Sequence, residues 1–432
     1  MLSIQIDTSA FDFPELVLPC VWTVRHHVEA PETPDIDGAV RRAMAAPLAD
    51  PRVRPGAAVA VGVGSRGIAN LSAIVRAVVA ALKEAGARPF IVPAMGSHGG
   101  ATAEGQRGIL EGYGVVEGAV GAPIRATMEV VQVGELEDGH PLFLDRHAAE
   151  ADAILVVNRV KHHTDFAGRI ESGLAKMCAI GLGKQRGAAS IHRYGADGLR
   201  NRMPRVARGL VERCPIVGGV AVIENPYGRT AEVHGLTAAE IAGPREAELL
   251  DRARALAPRL AFDQVDVLVV DRMGKDISGS GMDTHVIGRV RMPSIRESEW
   301  DGPDVRMVCV LDLSEASHGN AAGIGLADVV TRRLIEHMDA HATNTNHRTS
   351  GEGGAHRHHI PLVLETPEAC VRAAMALCGR GAPEAVRLVR IRDTEFVTTL
   401  EVSSALLDEV AARDDLEIVR DRHDLDLSAR LS

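Results

Sequence analysis

The sequence predicts an α/β protein of two domains, each a mostly parallel sheet flanked by helices. Two observations carry this. Apolar runs of strand length alternate with amphipathic helical stretches along the whole chain, and 432 residues exceed what one small core organises. The boundary is placed near residue 262, which gives an N-terminal domain over 1–262 and a C-terminal α/β domain over 263–432. Composition agrees, since 46% hydrophobic and 25% charged residues are the proportions of a folded globular chain. The longest apolar runs, such as 153–157 and 265–270, fall far short of the roughly 18 residues that cross a bilayer. No basic region followed by an apolar one opens the sequence, so the expected location is cytoplasmic, with no membrane partner.

The pattern begins with a strand at 57–61, after Pro55-Gly56. Asn70 then precedes Leu71, Ile74, Val75, Val78, Val79 and Leu82, the apolar stripe of a helix with Asn70 as N-cap and Gly86 as its stop. A second strand, 90–93, ends at Gly96-Ser97-His98-Gly99-Gly100 and completes a β-loop-α-β unit with a right-handed crossover. The buried strand 153–157 runs into Asn158–Asp165. Val217–Ile223 reads as a strand, Arg245–Leu256 as a helix closed by Pro258, and Val265–Val270 as the strand that opens the second half. Further on, strands are expected at Val305–Leu313 and Val386–Ile391, and helices at Gly325–Met338, after Thr366-Pro367, and at Ser404–Ala412. The stretch Gly351–His359 reads as a loop, and no internal repeat is visible.

Charge narrows the partners: 48 Lys and Arg against 58 Asp and Glu give a net charge of −10. That is a poor footprint for nucleic acid or an anionic membrane. Aromatic residues make up 3% of the chain, too few for base-stacking platforms. The six cysteines (Cys20, Cys178, Cys214, Cys309, Cys370, Cys378) form no C-x-x-C, so neither a disulfide framework nor a zinc ribbon nor an iron–sulfur site is suggested. The 18 histidines are the unusual feature.

Three loops at strand carboxyl ends hold the candidate chemistry. Gly62-Val63-Gly64-Ser65-Arg66-Gly67 fits G-x-G-x-x-G between a strand and a helix, a dinucleotide fingerprint. The acid that should close the second strand is absent, because that region reads Ala94-Met95-Gly96-Ser97-His98. The loop is therefore also open to being a tight glycine turn, or an anion site where Arg66 pairs bidentately with a carboxylate or phosphate. The second loop sets His98 between glycines. The third runs through His162-His163-Thr164-Asp165-Phe166, Glu171-Ser172-Gly173-Leu174-Ala175-Lys176, Gly183-Lys184 and His192. Singly these residues read as solvated; together they supply two possible bases, a lysine in an apolar neighbourhood and a further imidazole. Zinc is the obvious competitor, but no H-E-x-x-H occurs.

These residues resemble the nickel-pincer nucleotide enzymes of the lactate racemase family. The resemblance runs from about Ala57 to Ile391 and rests on Gly-Ser-His-Gly-Gly at 96–100, His-Thr-Asp-Phe at 163–166, Ser-Gly-Leu-Ala-Lys at 172–176 and His192. Met273–Asp283 and Gly319–Asp328 extend it. It implies a cofactor, the nickel complex of pyridinium-3,5-bisthiocarboxylic acid mononucleotide, attached covalently to Lys176, with His192 as a nickel ligand and the active site in the interdomain cleft. His98 and His163 match the acid/base pair, with His162 as the fallback for the second. Arg66 matches a carboxylate clamp and Lys275 a cation that complements substrate or cofactor charge. Ser65 and Lys184 are the further candidate cofactor contacts, and the Gly279-Ser280-Gly281 turn is a candidate for the phosphate.

The activity so implied is racemisation or epimerisation at C2 of a small-molecule 2-hydroxy acid, with cofactor-biosynthesis enzymes as partners. Val63 and Arg272 stand where the lactate enzyme is expected to carry aspartate and glutamine. With Arg193, His285, His347, His356 and His358 near the candidate loops, these departures favour a polar, hydroxyl-rich acid such as an aldonate over lactate. Two readings compete: an NAD-dependent dehydrogenase using the 62–67 loop, and a non-catalytic binding protein for organic acids.

Overall fold

Where the apolar runs lie, strands form, and they sort into two large sheets, one in each of two units: Ala30–Ala257, and Pro258–Ser432 with the chain up to Glu29. The computed structural model describes residues 13, 15–64, 67–347 and 351–431, so Ser65 and Arg66 lie outside the described residues. The break falls at 257/258 rather than 262, and the N-terminal segment goes with the second unit. The reason is strand β1 (Cys20–His26), which takes a place in the second sheet.

In the first unit, β2 (Ala58–Val63), β3 (Arg88–Pro93), β6 (Ala153–Arg159), β7 (Ile216–Glu224) and β8 (Thr230–Thr237) form one sheet in the order β3-β2-β6-β7-β8. All neighbours run parallel except β8, which is antiparallel to β7. A separate ribbon joins β4 (Val130–Glu135) to β5 (Pro141–Asp145). Successive strand residues face opposite sides, and the core divides accordingly. Val59, Val61, Val63, Leu155 and Val157 pack with the helices Ile36–Leu48 and Leu71–Glu84, whereas Ala60, Ile154 and Val156 pack with Gly173–Lys176, Met203–Arg213 and Pro244–Ala255. A strand covered on both faces must be apolar throughout, as Ala153–Val157 is.

The helix Leu71–Glu84 stops as its sequence predicts. Gly86 has φ +80°, its N–H donates to Lys83 O (2.8 Å), and the Ala87 N–H donates to Leu82 O (3.0 Å), the double bond of a Schellman ending. Its start differs from expectation. Asn70 stands at the N-cap position but is left-handed (φ 58°), and its side chain donates to Thr230 Oγ1 (3.0 Å) instead of capping.

The second unit's sheet runs β12-β11-β10-β9-β13-β14-β1-β15. Its strands are β9 (Gln264–Val270), β10 (Asp304–Val310), β11 (Val329–Thr331), β12 (Leu362–Leu364), β13 (Leu388–Ile391), β14 (Thr399–Ser403) and β15 (Leu416–Asp424). The pairs from β12 to β13 are parallel, and β14, β1 and β15 extend them antiparallel. Thr366 caps the helix Pro367–Leu377 by accepting from Ala369 N (3.2 Å), as the Thr-Pro pair predicts. The helix expected over Gly325–Met338 is instead strand β11 followed by the short helix Arg332–Glu336, because Val329-Val330-Thr331 is β-branched and buried beside β10. Gly351–His356, read as loop, is helical. Among the described residues no helix is long and apolar enough to cross a membrane.

Val24, fully buried on β1, belongs to the core cluster of the second unit. Val24→Asp should therefore cost about 3 kcal/mol or more. Hydrogen exchange followed by mass spectrometry should show protection lost in peptides of Pro258–Ser432 and kept in those of Ala30–Ala257; the opposite pattern would refute this placement of β1.

Candidate active site

The order β3-β2-β6-β7 makes β2 a switch point: the chain leaves it first towards β3 and then returns to its other side at β6. In open α/β sheets, ligands bind at the carboxyl ends of the strands at such a point. Gly64 follows β2, His98 follows β3, and His162 and His163 follow β6.

The sheet edge is kept open by small residues. A Cβ on Gly64 would come within 2.4 Å of Asn158 Oδ1 and 3.1 Å of Met177 Sδ, so the ends of β2 and β6 and the segment after Lys176 meet around a bare backbone. Asn158 donates its amide to Gly173 O (3.1 Å). Gly173 has φ +74°, and a Cβ there would lie 2.4 Å from Glu246 Oε1. Glu246 is nearly fully buried and accepts from Ala175 N (3.0 Å) and Ala242 N (2.7 Å). It thus caps the single helical turn Gly173–Lys176, on which Lys176 is half-buried. A π-helical turn, Met177–Gly181, comes next, and the helix Lys184–His192 ends on His192.

Glu171 fixes the histidine loop. Its buried carboxylate accepts from His163 N (2.8 Å), Gly168 N (2.7 Å) and Arg254 Nη2 (2.7 Å). His163 is half-buried, tilted against Phe166 with ring centroids 4.6 Å apart, and its Nδ1 accepts the Asp165 N–H (3.1 Å). In the neutral ring the proton therefore sits on Nε2. Asp165 Oδ2 lies 3.9 Å from the same Nδ1. His162 is buried. The Gly-Ser-His-Gly-Gly loop folds onto its own helix: Gly99 has φ +65°, and a Cβ there would lie 2.5 Å from the Gly105 backbone. Gly96 N donates to Gly181 O (3.2 Å), which joins the His98 loop to the segment that follows Lys176.

Electrostatics bring three of these groups together. The His192 imidazole is pushed down to about 4, first by burial, then by the charge of Lys176, against the opposing pull of Asp165. It is neutral at physiological pH, the state in which imidazole binds metals. Among the described residues no group of three or more His, Cys, Asp or Glu side chains is arranged to hold a metal ion.

Other expected residues have partners of their own. Lys184 is fully buried, its ammonium bonded to Pro93 O and Gln106 and paired with Asp145, which gives it a structural task in place of the expected cofactor contact. Lys275 belongs to the other unit and donates to Gly279 O. Arg193 donates to the Tyr194 hydroxyl (2.7 Å), His285 stacks on Trp300 (4.4 Å), and Arg272 is bound by Asp393 (2.9 Å).

Residues 16–200 match the family model described as the lactate racemase N-terminal domain, a segment that contains His98, His163, Lys176 and His192. Residues 16–200 are thus similar to the N-terminal domain of lactate racemases. Among solved structures, the lactate racemase apoprotein from Thermoanaerobacterium thermosaccharolyticum aligns at 12% identity over 86% of this chain and 85% of that chain, with a TM-score of 0.44. No curated protein matches.

Glu246, Gln106 and Asn158 do not stand out in the sequence, and Glu171 and Asp165 carry no assigned role there. Glu246 lies about seventy residues from the turn it caps, and no local spacing connects the two. Glu171 was legible, since a carboxylate eight residues after His163 in a glycine-bearing loop can turn back on the backbone.

A lowered histidine pKa means that the unfolded chain takes up a proton before the folded one, so this group costs stability as pH falls from about 6.5 to about 4. In an NMR titration of His-labelled protein, the His192 ring should stay neutral to well below pH 6. Titration near 6.5 would show that it lies away from Lys176 and in water.

Proposed function

We propose that this chain is a racemase or epimerase that inverts C2 of a 2-hydroxy acid, using a nickel-pincer nucleotide attached to Lys176. The observation that carries this reading is the grouping of Lys176, His192 and Asp165 within one electrostatic neighbourhood, on a segment held at the switch point of the sheet. The similarity of residues 16–200 to the lactate racemase N-terminal domain supports it.

The residues present fit the cofactor. Lys176 is half-buried on a turn whose backbone is fixed from two sides, and its amine would form the covalent bond. His192 is a neutral imidazole, a donor suited to square-planar nickel. When bound, the nucleotide supplies a reversible hydride acceptor.

The chain's own task is position and protons. His98 and His163 follow two different strands, and inversion needs a proton acceptor or donor for each enantiomer's C2 hydroxyl. His163 supports that role better than His162, which is buried. As placed, the His163 ring offers N–H from Nε2; to accept a proton there, its Nδ1 must first release the Asp165 N–H and take a proton itself, with Asp165 Oδ2 as the nearby acceptor. Arg66, which lies outside the described residues, is the proposed clamp on the substrate carboxylate. The proposed substrate is a polar, hydroxyl-rich acid, and the proposed partners are the enzymes that make the cofactor.

Protein co-produced with the cofactor-making enzymes should show by intact mass an adduct that Lys176→Ala removes, and should invert C2 across a panel of 2-hydroxy and sugar acids. An unmodified protein that still inverts C2 would overturn the covalent assignment. His98→Ala and His163→Ala should each lower turnover by about 10²-fold or more while the adduct is retained.

A further inference from the structure

We propose that Lys184 and Gln106 form a buried relay that positions His98. This rests on reading His98 as one of the two proton-transfer groups. Lys184 is fully buried with φ +53°, a left-handed conformation unusual for a lysine. Such a backbone persists only where surrounding bonds over-determine it. Here they do. The ammonium donates to Pro93 O, at the end of β3, and to Gln106 Oε1 (3.1 Å), and it is ion-paired with Asp145 Oδ2 at 3.1 Å.

Gln106 is also fully buried, on the helix Ala103–Gly112. Its amide orientation is fixed by chemistry, because Lys184 only donates while Gly96 O and His98 O only accept. Oε1 therefore faces the ammonium, and Nε2 donates to Gly96 O (2.9 Å) and His98 O (3.3 Å). The carbonyl of His98 itself is thus one amide away from Lys184. Lys184 also begins the helix that ends on His192, so one buried ammonium fixes the start of that helix and the histidine loop together.

Two features make this a device for position and not only for stability. The loop from Gly96 to Ala101 contains three glycines and one non-glycine residue, Ala101, at positive φ, so its own backbone preferences leave His98 poorly fixed. The bonds from Gln106 land on the two carbonyls that flank Ser97, one of them His98's own. A relay that served only to fill the core would not need to reach the residue that bears the imidazole.

The test separates the two ends of the relay. Gln106→Glu keeps an acceptor for Lys184 and loses both donations to the loop, and Lys184→Met keeps the stem and loses the ammonium. In apoprotein labelled at histidine, each variant should shift the His98 ring resonance and its titration midpoint, with the His98→Ala spectrum identifying the signal. In cofactor-loaded enzyme, Gln106→Glu should lower kcat about tenfold with KM and the Lys176 adduct unchanged. Should the His98 signal and kcat stay at wild-type values in Gln106→Glu, the relay is overturned. Should the His98 signal move in a protein that inverts no hydroxy acid in any form, the relay stands and the functional reading falls.

Discussion

The Glu246 carboxylate accepts backbone N–H groups from two places at once, Ala175 in the lysine-bearing turn and Ala242 just ahead of its own helix. A helix of one turn does not persist alone, since its nucleation cost exceeds what a single hydrogen bond returns. A carboxylate buried as deeply as Glu246 is costly unless its oxygens are bonded, and burial raises its affinity for a proton against the pull of those N–H groups. Each solves the other's difficulty, provided residue 173 is a glycine. Everything proposed for Lys176 depends on that turn staying where it is.

From the turn, order spreads along the sheet edge. Asn158 grips Gly173 O from the end of β6, Gly96 N reaches Gly181 O from the end of β3, and Glu171 gathers the His163 loop with Arg254. The charges are graded to match. His192 is held neutral by burial beside a cationic amine, while Asp165 lies near both imidazoles. Burial and neighbouring charge thereby keep the protonation states of these groups distinct.

The parallel strands were legible in the sequence because each is a short apolar run ended by glycine or a polar turn, as at Ala153–Val157 and Val265–Val270. Gly86 and Thr366-Pro367 were legible for the same local reason. The antiparallel additions β1 and β15 were not, since their pairing depends on partners hundreds of residues away. Helix Gly325–Met338 failed because tertiary pairing beside β10 outweighed helical periodicity. In the site, His98, His163, Lys176 and His192 were visible as a group by type and spacing, and the structure brings Lys176 and His192 together. Lys184 was misjudged: its charge suggested a phosphate, but a lysine next to a glycine pair gives no local sign that Asp145, Pro93 and Gln106 will converge on it.

The central claim is that the ε-amine of residue 176 and the imidazole of residue 192 serve one nickel-bearing group. X-ray absorption at the nickel edge, on protein produced together with the cofactor-making enzymes, tests it most directly. The account predicts sulfur scattering and a single imidazole shell that disappears in His192→Ala. Nickel surrounded only by oxygen and nitrogen, or an imidazole shell unchanged in that variant, would contradict it.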